Sequence, residues 1–200
     1  MLLAERGLEG VGVEPDARMA AVARRNLLHS PAWRVEVAEF ETWAHDEPDF
    51  DLVTCAQAWH WLDPASRLRR AHALLRAGGW LALWWNRPAE DHSALRTALD
   101  AVYADMAPEL PPRGPASLPF APDGTHPDLG FGPPVEREYP WSKLYSTTDW
   151  IQLLLSHSDH RLLDEDRRHR LLGAVAEVID DHGGTYRHHY VCRLWAVERR

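Results

Sequence analysis

Apolar positions along the first 90 residues switch repeatedly between a period near two and a period near 3.6, which predicts alternating strands and helices. That alternation is the pattern of a parallel sheet with crossover helices. Residues 2–6 read as the end of a helix stopped at Gly7, and residues 9–13 as a short apolar strand containing two glycines. Pro15 stands where a first helical turn tolerates it. Met19, Ala20, Val22, Ala23 and Leu27 then recur at helical spacing until His29, Ser30 and Pro31 break the run. Trp33, Val35 and Val37 alternate with Arg34 and Glu36, the signature of a half-buried strand. Residues 50–55 are expected as a compact strand buried on both faces. Asp63 and Pro64 are expected as the N-cap and first-turn proline of a helix reaching about Leu75, ended by Ala77, Gly78 and Gly79. Another buried strand follows over residues 80–85.

The pattern changes after Asn86. Residues 90–106 are amphipathic, with Leu95, Leu99, Val102 and Met106 on one face, and residues 108–134 are rich in Pro and Gly, as a loop or lid would be. Residues 135–141 predict a strand, and Thr147, Thr148 and Asp149 a cap for a helix running through Leu155. Leu171, Leu172, Val175 and Ile179 form the apolar face of a helix over residues 167–181, and residues 186–197 a long closing strand. The fold class is therefore α/β. Residues 1–88 and 131–200 are expected to form its core, with 89–130 as a helix and Pro/Gly-rich lid inserted into it.

Charge removes several function classes. Lys plus Arg number 22 against 30 Asp plus Glu, a net charge of −8, so the basic footprint of a nucleic-acid binder is missing. No apolar run approaches the length that spans a bilayer, and the first ten residues carry charges too early for a secretory signal. A cytoplasmic protein without nucleic-acid or membrane partners is expected. Cys55 and Cys192 are too few for a disulfide scaffold, in keeping with a reducing compartment.

Two acids stand where ligands bind doubly wound sheets, outside the carboxyl ends of strands. Glu14 directly follows the strand ending at Val13, where a carboxylate accepts two hydrogen bonds from a ribose diol. The competing reading is an acid interacting favourably with a helix N-terminus. Glu39 ends the next strand. There a carboxylate takes an exocyclic amine while the N–H of Phe40 reaches a ring nitrogen, an adenine-reading pair; the competing reading is a solvated loop acid, as it is for Glu41.

The segments VEPDARM, AEFETW, FDLVTCAQAWHWLDP and LRAGGWLALWWNR, in that order and spacing, resemble the class I S-adenosylmethionine-dependent methyltransferases, and among them the small-molecule branch. The resemblance covers about residues 1–90, and the strand at residues 186–197 fits the family's last hairpin. It implies a Rossmann-like, doubly wound, mostly parallel sheet with an antiparallel C-terminal hairpin. It further implies that Glu14 holds the ribose hydroxyls of S-adenosylmethionine, with Pro15 and Met19 toward the adenine. Glu39 would take the adenine amine and the backbone of Phe40 the ring, while Ala56 and Gln57 line the methionine moiety. His60 and Trp61 would face a small-molecule acceptor.

The chain departs from that family at its start. The family's first strand, its glycine-rich loop and most of its first helix are missing, a unit of about 30 residues or slightly more. Two inner strand edges would then stand unpaired. The expectation is a truncated methyltransferase whose 200 residues bind the cofactor weakly or not at all; an exposed sheet edge would favour self-association, which would point to a non-catalytic binding or dimerisation protein instead.

A sulfonium donor is already activated, so the protein mainly has to align nucleophile and methyl group and exclude water. For an acceptor that must lose a proton, His60 is the expected catalytic base, against a packing role between Trp59 and Trp61. The ten Trp include Trp84 and Trp85, of which at least one is expected in the core, and Asn86 faces either an acceptor or a loop. His157 and His160, or His188 and His189 before Cys192, complete no recognised ligand set, so no metal is expected. Two other functions compete. A nicotinamide-dependent dehydrogenase also reads ribose with such an acid but needs a glycine fingerprint this chain does not carry, and a degenerate family member would serve as a non-catalytic binding or dimerisation protein.

Overall fold

The structure is a computed structural model that describes residues 2–45, 47–110 and 127–200; residues 111–126 of the expected lid lie outside the described residues. The first elements are α1 (Leu2–Glu5), β1 (Gly10–Val13), α2 (Ala17–Asn26) and β2 (Trp33–Glu36). Next come β3 (Phe50–Ala56), a single 3-10 turn at Trp59–Trp61, α3 (Arg67–Leu74) and β4 (Leu75–Pro88). The later elements are α4 (Ala94–Met106), β5 (Val135–Ser146), α5 (Thr147–Ser156), α6 (Ser158–Leu162), α7 (Glu165–Asp181) and β6 (Thr185–Glu198).

The strands form two separate ladders. β1 and β2 pair in parallel, with Gly10 opposite Trp33 and Val13 opposite Glu36. The other four follow the order β3-β4-β6-β5. The bonds from Gly78 N to Arg199 O and from Ala89 N to His189 O, at 2.8 and 2.9 Å, make β4 and β6 antiparallel. β1 and β3 are not hydrogen-bonded neighbours among the described residues.

Two glycines are needed where they stand. A Cβ on Gly10 would lie 2.7 Å from the ring of Trp33, whose indole N–H donates to Leu8 O at 2.5 Å. A Cβ on Gly79 would lie 2.9 Å from the carbonyl oxygen of Phe50.

Several boundaries differ from the sequence reading. Pro15 lies outside α2, because Asp16 is its N-cap and accepts from the N–H groups of Arg18 and Met19. Asp63 organises a turn ahead of α3 instead of capping it: its carboxylate accepts from Ala65 N at 3.0 Å and Ser66 Oγ at 2.6 Å. β4 begins directly at Leu75 and includes Gly78 and Gly79, because Arg199 on the antiparallel chain takes the carbonyls of His72 and Leu75. β3 is not buried on both faces; it is the edge of its sheet, with a ladder partner on one side only, and Asp51 and Leu52 are exposed. Ser146, not the Thr147 cluster, caps α5 by accepting from Asp149 N at 3.1 Å.

The chain divides into two compact units. The first comprises the described residues of 1–83, 121–135 and 195–200, with Ala20, Val35, Leu68, Ala71, Leu74, Leu81 and Leu83 among its buried side chains. The second comprises the described residues of 84–120 together with 136–194. Its core is built by Leu99, Trp150, Leu154, Leu171, Leu172, Val175, Ile179 and Tyr186, so the four apolar positions of α7 read from the sequence all point inward.

Candidate functional site in the first unit

The sequence-predicted residues stand in the chain at or after the ends of β1, β2 and β3. The Glu14 N–H extends the β1–β2 ladder by donating to Glu36 O at 3.1 Å, which fixes its backbone. Its half-buried carboxylate accepts the Asp16 N–H at 3.0 Å. One oxygen is thereby oriented, while a carboxylate has capacity for several further hydrogen bonds. Pro15 and Met19 follow on the surface, Met19 being 56% exposed.

Asp16 was not singled out from the sequence, although an Asp before an apolar helical run is a legible cap signal. Its bonds to the Arg18 side chain and backbone lower its pKa to about 2. With the folded-state pKa below the ordinary carboxylate value, this cap contributes in full above about pH 4 and is lost as pH falls toward about 2. Acid unfolding curves of the protein and of Asp16→Ala are therefore expected to differ at neutral pH and to converge near pH 2; curves still separated there would exclude the carboxylate as the cause.

Beyond β2, Glu39 is exposed and Phe40 is half-buried. The Phe40 ring lies 6.5 Å from that of Trp59, and Glu41 accepts the Asp63 N–H at 2.8 Å. The loop after β2 and the segment after β3 are thus fastened together, by Glu41 and not by Glu39. Glu36 adds a further tie, accepting the Trp43 indole N–H at 2.7 Å.

Ala56 is the last residue of β3 and Gln57 directly follows it, both exposed. Among the described residues Gln57 is the non-glycine with positive φ, at 60°. A left-handed backbone there costs roughly 1–2 kcal/mol and persists only where surrounding structure enforces it. Just downstream of it, Trp59 and Arg67 anchor the turn. Trp59 is 2% exposed, and the Arg67 guanidinium, itself buried, donates to Trp59 O at 2.8 Å and to Leu62 O at 3.4 Å. It also lies 5.4 Å from the Trp59 ring centroid. No sequence signal distinguished Arg67 from the arginines beside it.

His60 and Trp61 point outward from this anchored turn, their rings 5.0 Å apart and Trp61 80% exposed. Trp59, and not His60, is the residue packed inside. Cys55 is not a nucleophile candidate, since burial pushes its thiol pKa up.

The other histidine candidates fall in the second unit. His188 is buried and its neighbour His189 exposed, as alternation along a strand requires. His157, Asp159 and His160 bring ligand atoms within 4.8 Å of one another. The ring of fully buried His160 is already engaged at both nitrogens, Nδ1 with Asp159 at 2.8 Å and Nε2 with the Tyr103 hydroxyl at 2.9 Å. That arrangement fastens α4 to α6, and a metal would have to break it. Trp85 is core at 6% exposed while Trp84 is only half-buried, and Asn86 accepts the Trp141 indole N–H at 3.0 Å.

Residues 1–83 match the family model described as a methyltransferase domain. An uncharacterized methyltransferase of Mycobacterium tuberculosis is 40% identical over 106 residues, which are 53% of this chain and 42% of that protein. A ubiquinone biosynthesis O-methyltransferase of Leptothrix cholodnii is 35% identical over 85 residues, covering 40% of this chain and 36% of that protein. The chain thus matches less than half the length of these curated relatives. Among solved structures, a candidate type II methyltransferase from Anaeromyxobacter dehalogenans aligns with a TM-score of 0.55 at 19% identity, over 94% of this chain and 79% of that one. The YcgJ protein of Bacillus subtilis aligns at 0.51 and 15% identity, over 96% and 82%. These two likenesses establish the Rossmann-like fold. Residues 1–83 are thus similar to the methyltransferase-domain family, in keeping with the resemblance read from the sequence.

Proposed function

We propose that this chain transfers a methyl group from S-adenosylmethionine to a small-molecule acceptor. The observation that carries the reading is the half-buried Glu14 carboxylate, its backbone fixed at the carboxyl end of β1. An acceptor-only group in that position suits a ribose diol. The fit extends to the other side chains: Glu39 offers an acceptor for an exocyclic amine and Phe40 an apolar face, with Pro15 and Met19 on the same side as Glu14 in sequence. Ala56 and Gln57 would hold the methionine moiety. The relative named for O-methylation in ubiquinone biosynthesis supports a small organic acceptor.

The cofactor supplies an electrophilic methyl group on a positively charged sulfur. The protein's share is to orient, to exclude water and to manage one proton. Trp59 and Arg67 hold the turn that presents His60 and Trp61. His60 takes the proton of an acceptor hydroxyl as its oxygen attacks, and Trp61 offers an exposed aromatic face to the acceptor.

Calorimetric titration of S-adenosylmethionine and S-adenosylhomocysteine into the 200-residue chain tests the reading. Glu14→Ala is expected to weaken binding about 10- to 100-fold, the loss of two hydrogen bonds to a charged acceptor. Undiminished binding by the variant would remove Glu14 from the site. Absence of binding by the parent chain would leave a methyltransferase-fold binding protein.

A further inference from the structure

We infer that the second unit carries a binding cleft for a small organic cation, walled by Trp141 and Tyr190 and flanked by Glu90. This inference stands independently of the methyl-transfer reading, because every residue it uses lies in the second unit. The cleft has a volume of about 330 Å³ and is lined by Glu90, Pro140, Trp141, Ser142, His189 and Tyr190, with Ala89. That volume is at the lower end of the range for small-molecule sites.

The aromatic wall is held from several directions. The rings of Trp141 and Tyr190 stack at 4.4 Å and 13°, and the Trp141 indole N–H donates to Asn86 at 3.0 Å. Behind Tyr190, the His188 ring meets it edge-on at 4.4 Å, and its hydroxyl is 3.0 Å from that of Tyr145. Trp141 is nevertheless 41% exposed. With one face covered by Tyr190, the exposed area falls on its opposite face and edges.

The electrostatics of this wall favour positive charge. Burial first, and then the Tyr145 hydroxyl, hold the Tyr190 phenol far above its usual pKa, so it stays neutral and presents its ring quadrupole. Glu90 is the acidic residue among those lining the cleft, its carboxylate 3.8 Å from His92 Nε2, and the lining includes no Lys or Arg. The Lys143 ammonium sits outside the cleft lining, 4.7 Å from the centroid of the Tyr145 ring. An indole face beside a carboxylate is the chemistry that recognises an alkylammonium group.

The probe is choline, with 3,3-dimethylbutan-1-ol as its uncharged isostere, followed by the indole N–H resonances in proton–nitrogen spectra of the whole chain. Trp141→Phe assigns the Trp141 signal by its disappearance. Choline is expected to shift that signal saturably with a millimolar Kd, while the isosteric alcohol binds at least about fivefold more weakly. Glu90→Gln is expected to raise the choline Kd about threefold or more. Equal binding of alcohol and cation, or an unaltered Kd in Glu90→Gln, would overturn the assignment. So would a Trp141 signal that does not move up to about 50 mM choline. None of these outcomes depends on the folding of a Trp141 truncation.

Discussion

Arg67→Met is expected to lower the free energy of unfolding by about 2–4 kcal/mol, and to weaken binding of S-adenosylmethionine along with it. Methionine keeps much of the apolar stem, so the change isolates the guanidinium. The buried group donates to Trp59 O and Leu62 O, the two carbonyls that bracket the exposed turn, and covers the Trp59 ring. Without it those carbonyls lose charge-assisted donors in a place that water reaches poorly, and the turn carrying His60 and Trp61 loses its strut. Arg67→Lys keeps the charge but loses the planar guanidinium that lies over the Trp59 ring, so it is expected to fall between. Urea unfolding gives the stability change and calorimetry the affinity. A loss below about 1 kcal/mol in Arg67→Met would mean that packing around Trp59, not Arg67, sets the turn.

Leu171→Ala is expected to cost about 3–4 kcal/mol in the second unit. Leu171 is fully buried and belongs to the cluster that joins Leu99 of α4, Leu154 of α5 and Ile179 of α7. Truncation leaves a cavity among helices held by several other large side chains, so little collapse can fill it. Leu162→Ala is the matched control, because Leu162 is 86% exposed and its loss is expected to stay within about 0.5 kcal/mol. Denaturation midpoints of the two variants decide the matter; equal shifts would contradict the burial difference.

Much of this architecture is legible in the sequence because periodicity reports burial. The face of α7 read from Leu171, Leu172, Val175 and Ile179 is the buried face, and the alternation about Trp33 and Val35 is β2. Legibility fails where long-range partners decide. Leu75 through Gly79 reads as a helix end, yet antiparallel pairing with the chain at Arg199 draws it into β4. Residues 50–55 look apolar enough to be buried twice, but how many ladder neighbours a strand has is not written in the strand itself. The candidate site divides in the same way. Glu14 announces itself by following a strand, whereas Arg67 acts through carbonyls eight and five residues back, and one arginine in a basic run gives no sign of which one turns inward. Glu41 and Glu39 are indistinguishable in sequence; only the fold reveals that Glu41 is committed to Asp63.

The ladder of β1 and β2 has four residues in each strand and one partner for each. Two strands alone have marginal stability in water, so this ladder depends on what packs on it, α2 included. On the proposed reading, Glu14 would meet a ligand only with the ladder formed, and the ligand's apparent affinity would scale with the fraction paired. The seat of Trp33 over Gly10 and the stitch from Arg24 to Val35 O at 2.7 Å would then set ligand occupancy from a distance.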